Sequence, residues 1–349
     1  MSPDKICRRW RQLDPVFVRG MQRSGTSVMA QALRRLGIVG FGEGHLWFDL
    51  VRPFENLRDP EYRPNLRVDS YALGKGREAS LEKYIAVALD QFHKDHLPKG
   101  SGRWMDKSPG AEAVRVVPLL AELFPGAQFI FMYRNGITTV HSAVRLWADH
   151  DFWSSETELF QAMCRAWADT MSSWREVRRL LPNRYIEIAQ EELASRPCVV
   201  ASRLAEFLGM PDARSRVADL FQTKRLGSAF PDRPAGDYDY EIKWGEERKA
   251  YFISTCGQEM GAWGFEIDFV SPGPARPRPR AGADEAVTMD ALQRHEARIK
   301  EPESECWARP ERVKGIAPGL LSRLLNLLET LKLGPPREDS SVGGRDTRP

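Results

Sequence analysis

One stretch constrains this chain more than any other: Val16-Phe17-Val18-Arg19-Gly20-Met21-Gln22-Arg23-Ser24-Gly25-Thr26-Ser27. The alternating apolar residues predict the end of a buried strand. Gly20 and Gly25 bracket a polar turn, and Val28 to Leu36 continues with helical spacing. Strand, glycine-bounded loop and helix together form an anion grip. The loop's N–H groups can point inward, and the helix N-terminus carries partial positive charge. The spacing approaches the P-loop pattern: Gly20, Gly25 and Ser27 fit, but Thr26 stands where that pattern has its lysine. The missing lysine argues against an ATPase or kinase, and Arg23 can supply the charge instead. A plain Gly/Ser-rich strand-to-helix turn is the bland alternative for this stretch alone.

A second junction of the same kind lies downstream. Ala127 to Tyr133 is an apolar run of strand length, as in a parallel strand buried on both faces. Arg134-Asn135-Gly136 ends it, and a helix carrying Thr139, Ser142 and Arg145 begins. Between the two junctions, Gly37 to Phe48 crowds glycines around Glu43 and His45. A short strand or loop there would return Glu43 to the first loop. Arg103 to Lys107 reads as another short strand, with Pro109 opening a helix that runs to Phe124. Further elements are predicted at 157–181 (helix), 185–189 (strand), 198–208 (helix, stopped by Gly209) and 246–262 (helix), with a long loop over 222–245. The aromatic stripe of the 157–181 helix, including Trp167 and Trp174, reads as core.

The repeated strand, turn and helix pattern predicts an α/β fold: a P-loop-like, mostly parallel sheet flanked by helices. Pro/Arg-rich residues from Ser271 to Arg280 read as a linker. We therefore expect a main domain over 1–268, a linker over 269–284, a C-terminal helical extension over 285–333 and a disordered tail over 334–349. The leucine-rich helix near 318–333 can cover the domain's own core, form a homodimer or lie on a membrane; packing is the commoner fate, and the dense basic face of a surface-seeking helix is missing.

Net charge is only +3, which does not imply nucleic-acid binding. The five cysteines are scattered, odd in number and without a C-x-x-C pair, which predicts reduced thiols and no zinc site. The charged N-terminus is unlike a secretory signal, and no apolar run has bilayer-crossing length. A cytoplasmic protein is the expectation.

Arg23-Ser24-Gly25-Thr26-Ser27, Asp106-Lys107-Ser108-Pro109, and Arg134-Asn135-Gly136 through His141-Ser142 recur in this order in one family. Over about residues 15–266 the chain resembles the sulfotransferases that use 3′-phosphoadenosine 5′-phosphosulfate (PAPS), especially the branch with the tyrosylprotein sulfotransferases and many bacterial enzymes. The set is far more specific than any member. The resemblance implies that Arg23, Ser24, Gly25, Thr26 and Ser27 hold the 5′-phosphosulfate and that Arg134 and Ser142 hold the 3′-phosphate. It implies that Glu43 is the catalytic base and that Arg23 and Lys107 stabilise the transferring and leaving groups; His45, two residues from Glu43, is the rival base on its own chemistry. Ser228 and Lys243, the latter followed by Trp244, match a serine and a Lys-Trp pair that contact the cofactor.

Gln190-Glu191-Glu192-Leu193 departs from the family's Tyr-Glu-Asp/Gln-Leu, so no tyrosine contact is carried over. Neither a metal nor nucleic acid is implied. The acceptor would be a small molecule, carbohydrate or lipid bearing a hydroxyl or amine. Trp47, Phe48, Phe54, Trp147, Phe152 and Trp153 are available to line its site. A P-loop kinase and a non-catalytic nucleotide-binding module are the alternatives.

Overall fold

The computed structural model describes residues 13–43, 91, 95, 103–148, 153–223 and 242–270. All lie in one unit of the chain, Met1–Glu301. The forecasts for the Pro/Arg-rich segment and the C-terminal extension fall outside the described residues, as do His45 and Ser228 and, of the aromatic set, Trp47, Phe48, Phe54 and Phe152.

Among the described residues, five strands form the sheet: β1 (Val16–Gly20), β2 (Val39–Phe41), β3 (Trp104–Lys107), β4 (Gln128–Tyr133) and β5 (Tyr185–Ala189). Their order is β2-β3-β1-β4-β5 and every pairing is parallel. The sheet's two faces are chemically different because successive strand residues point opposite ways. Val16, Val18, Ile130, Met132 and Ile188 face one side. There they pack on α1 (Thr26–Arg35), which supplies Met29, Ala32 and Leu33, and on two later helices, α7 (Pro197–Phe207) and α8 (Arg214–Thr223). Phe17, Phe129, Phe131 and Trp104 face the other side, an aromatic layer.

Two long helices close that aromatic layer: α5 (Glu156–Val177), followed by a short 3-10 turn, and α9 (Glu246–Ala262). Trp174 of α5 stacks on Phe131 at 4.4 Å between centroids, and Trp263, just past α9, lies 5.5 Å from the same ring. Each such ring, fully buried, contributes roughly 1.5–3 kcal/mol by leaving water. Phe269 then packs on Trp244 and Phe252.

Several elements match their sequence signals closely, including β5 at Tyr185–Ala189 and α9 at Glu246–Ala262. Others differ. The helix expected to open at Pro109 opens at Ala111 and breaks in two, α2 (Ala111–Arg115) and α3 (Val117–Leu123). Pro118 stands in the first turn of α3, where its missing N–H costs nothing, but it cannot continue the ladder of α2. The helices α6 (Gln190–Ser195) and α8 were not anticipated.

What matters for function is the crossing of the two faces. The chain leaves β1 into α1 on the aliphatic side. It leaves the neighbouring strand β4 into α4 (Gly136–Trp147), which packs with α5 on the aromatic side. Adjacent parallel strands whose exits diverge leave a crevice at their C-terminal ends, where α/β folds bind ligands.

Candidate active site

The loop from β1 to α1 is shaped by backbone. Gly20 has φ 138°, and a Cβ there would sit 2.1 Å from the Met132 carbonyl oxygen, so only glycine lets β1 turn beside β4. Arg23 itself adopts φ 70°, a left-handed conformation uncommon for a non-glycine residue and one that clusters at functional sites. The Ser24 hydroxyl is directed inward, to the carbonyls of Met21 (2.6 Å) and Met132 (3.0 Å), and so staples the loop to β4. Gly25, at φ 91°, is the N-cap of α1 and offers no side-chain cap. No acidic residue stands in the first turn of α1, while Arg34 and Arg35 complement its C-terminal end. The first amides of α1 therefore have no capping oxygen of their own and suit an external anion. Thr26 is buried and Ser27 exposed at that turn.

The junction from β4 to α4 is built by side chains. Asn135 caps α4 by accepting from the Ile137 N–H at 2.9 Å. Its own N–H donates to the buried Glu191 carboxylate at 3.0 Å, and the Trp167 indole N–H donates to the Arg134 carbonyl at 3.2 Å. Burial pushes the Glu191 carboxyl up, and the Arg134 guanidinium offsets part of that push.

The two junctions meet. Arg23 Nε donates to Ser142 Oγ at 3.1 Å, and Arg134 Nη1 donates to the Arg23 carbonyl at 3.2 Å. Burial lowers the Arg23 pKa, and the neighbouring Arg134 charge lowers it further. Burial also drives the His141 imidazole down to about 4, with Arg145 and Arg134 adding to the effect, so it stays neutral near pH 7. One turn on, Arg145 is exposed.

On the far side of β1, Lys107 ends β3 with only 2% of its side chain exposed, and its ammonium forms an ion pair with Glu43, whose side chain is 65% exposed. Glu43 lies just past β2, which pairs with β3, and this pairing brings the carboxylate to Lys107. The ion pair thus joins a buried ammonium to a carboxylate open to solvent. Lys243 is exposed, beside the buried Trp244. Trp147 and Trp153 are half-buried.

Sequence reading assigned no site role to Glu191, Arg19 or Asp106, and Trp167, read there as core, is buried and also holds the Arg134 carbonyl. Arg19 did carry a signal, since it is a charge inside an apolar strand. Among the described residues, no group of His, Cys, Asp and Glu side chains is arranged to hold a metal ion, and no helix is long and apolar enough to cross a membrane. Cys164 and Cys256 are buried thiols outside any disulfide, and the Cys256 Sγ donates to the Cys164 carbonyl.

A parallel α/β sheet with an uncapped helix and two touching arginines at one crevice defines a P-loop-like protein. The sequence profile of the sulfotransferase family matches residues 15–214, more than half of the 349-residue chain, and the protein belongs to that family, whose chemistry is sulfuryl transfer. Comparison with curated protein sequences gives no match. Among solved structures, the chain is similar to the sulfotransferase STF9 from Mycobacterium avium at 15% identity, with 74% of this chain and 79% of that one covered and a TM-score of 0.44. Mouse sulfotransferase SULT7A1, solved in complex with PAP, gives 13% identity, 74% and 91% coverage and a TM-score of 0.44. The sulfotransferase domain of the Synechococcus olefin synthase gives 15% identity, 84% and 97% coverage and a TM-score of 0.40.

Proposed function

We propose that the protein transfers a sulfuryl group from PAPS to a hydroxyl or amine of a small-molecule, carbohydrate or lipid acceptor, releasing adenosine 3′,5′-bisphosphate (PAP). The observation that carries this reading is the contact between Arg23 and Arg134 across two strand ends. Two cations held together at one crevice repel, and a ligand with two separated phosphates offsets that cost. The 5′-phosphosulfate fits the loop of Arg23, Ser24, Gly25, Thr26 and Ser27 with its uncapped helix, and the 3′-phosphate fits Arg134 and Ser142. Lys243 and Ser228 complete the cofactor contacts by family resemblance.

For the transfer, the acceptor must lose a proton while charge on the leaving phosphate is neutralised. Glu43 is the proposed base by family resemblance: it lies in an ion pair with Lys107, and its exposure leaves it within reach of an acceptor. Lys107 and Arg23 are proposed to stabilise the sulfuryl oxygens and the leaving phosphate. We place the enzyme in the cytoplasm, with its catalytic domain spanning 1–268 and the linker, helical extension and tail following it.

Titration calorimetry with PAP and a transfer assay with labelled PAPS test the reading. It expects PAP to bind and PAPS, not ATP, to be turned over. Phosphoryl transfer from ATP would favour the kinase reading; PAP binding with no transfer to any acceptor in a broad screen would favour a non-catalytic module.

A further inference from the structure

The most unusual charge in the fold lies beneath the site, not in it. Arg19 and Asp106 are both 0% exposed and form an ion pair at 2.8 Å, with the guanidinium carbon 5.0 Å from the centre of the Phe17 ring. A buried ion pair adds little net stability over apolar side chains of the same volume. This one is worse placed than most, since Arg19 Nε and Nη2 have no hydrogen-bond partner among the described residues. Stability therefore does not account for an arginine here.

Its bonds point to another role. Arg19 Nη1 donates to the Asp106 carboxylate (2.8 Å), to the Asp106 carbonyl (3.2 Å) and to the Val18 carbonyl (3.1 Å), so one nitrogen ties β1 to β3. The Ser108 hydroxyl donates to the same carboxylate at 3.0 Å, and its N–H donates to the Val18 carbonyl at 3.2 Å. Lys107 thus sits between two residues that are both held by the cluster, while Arg19 immediately precedes Gly20, the first residue of the loop carrying Arg23. The Gly110 N–H, donating to the Gly20 carbonyl at 2.9 Å, closes the junction.

We propose that Arg19 is a positioning residue: its buried pair with Asp106 clamps the ends of β1 and β3 and so fixes Lys107 relative to the Arg23 loop. The proposal rests on the sulfuryl-transfer reading of the site for its effect on rate, but not for its effect on the backbone. Electrostatic stabilisation of a transition state depends on groups held in place beforehand. Loosening the clamp therefore lowers kcat and leaves ground-state binding largely intact.

The test replaces the pair with apolar residues, Arg19→Met with Asp106→Leu. The expected result is a melting temperature at or above that of the wild type, PAP affinity within about threefold, kcat with PAPS and p-nitrophenol as probe acceptor reduced about tenfold or more, and faster hydrogen exchange at the Ser108 and Gly110 amides with α9 unchanged. The single variant Arg19→Lys, which keeps the charge but not the three-way bridge, provides a second reading: it is expected to retain the fold and to lose kcat by a smaller factor. Wild-type kcat and wild-type exchange in either folded variant would overturn the proposal. If the wild-type protein turns over no PAPS, the functional reading fails by itself, and the exchange rates still decide whether the clamp exists.

Discussion

The two junctions that meet at the site solve one problem by opposite means. After β1, the turn is made by the chain itself: glycine at 20 and 25, a left-handed Arg23, and a Ser24 hydroxyl bonded only a few residues back and to the adjoining strand. After β4, the turn is made by visitors. Glu191 arrives from beyond β5 and Trp167 from the middle of α5, and Asn135 caps its helix from within. The first helix has no side-chain cap, whereas the second is capped by Asn135; on the proposed reading the first offers its amides to a ligand and the second leaves recognition to the side chains of Arg134 and Ser142. A backbone grip is indifferent to which anion it holds beyond size and charge, whereas a guanidinium placed at one point sets where a second phosphate must lie. On the proposed reading, the pair together would measure a distance between two charges.

Changes at the first junction should be the most damaging. Gly20→Ala forces a Cβ into the Met132 carbonyl oxygen and a positive φ onto alanine. We expect a loss of about 4 kcal/mol or more in urea unfolding, or failure to fold; a loss under about 1 kcal/mol would show that β1 and β4 can part at that point. Arg23→Ala removes charge at the proposed reacting end without touching the core. It should lower kcat by roughly 10²–10³-fold while the melting temperature stays close to that of the wild type. A change confined to KM would instead make Arg23 a ground-state binder.

At the second junction the effects should be milder. Asn135→Ala strips the α4 cap and should cost about 1 kcal/mol in stability, with weaker PAP binding by calorimetry as Arg134 loses its fixed backbone. Equal PAP affinity in that variant would show that the visitors alone hold the turn. The smallest effect is one of pH. His141 is neutral in the folded protein down to about 4, whereas an unfolded histidine takes up its proton near 6.5. Between those values the unfolded chain binds more protons, so stability falls as pH falls from about 6.5 towards 4. His141→Gln should flatten that slope in urea midpoints measured at pH 7, 5.5 and 4.5; an identical slope would place the acid sensitivity elsewhere.

The same contrast explains what could be read in advance. Residues 16–36 announce themselves because glycine spacing and apolar periodicity are local, and β5 and α9 are legible for the same reason. The β4 run and Arg134 were visible too, but not what anchors them, because Glu191 and Trp167 are 57 and 33 positions away from Arg134 and meet it only once the sheet has formed. The helix α8 hid its signal in a short segment: Val217, Leu220 and Phe221 have the right spacing, but their burial depends on α1 and α7. The break at Val116 shows the converse, since Pro118 was plain in the sequence and the apolar spacing across it ran on as if unbroken. Glu43 was placed near the loop by its glycines, yet its ion pair with Lys107 follows from strand pairing between β2 and β3, which no local pattern encodes.

The indole of Trp167 gives the molecule a built-in optical reporter. It is fully buried and its N–H is committed to the carbonyl of the same residue whose guanidinium reaches towards Arg23. A solute whose binding to Arg134 shifts that residue's backbone would change this bond, and the emission of an indole shifts with the strength of its hydrogen bond. A difference spectrum between wild type and Trp167→Phe that changes on adding PAP would show that coupling, with no label attached and no acceptor required; an unchanged one would show that the carbonyl stays put.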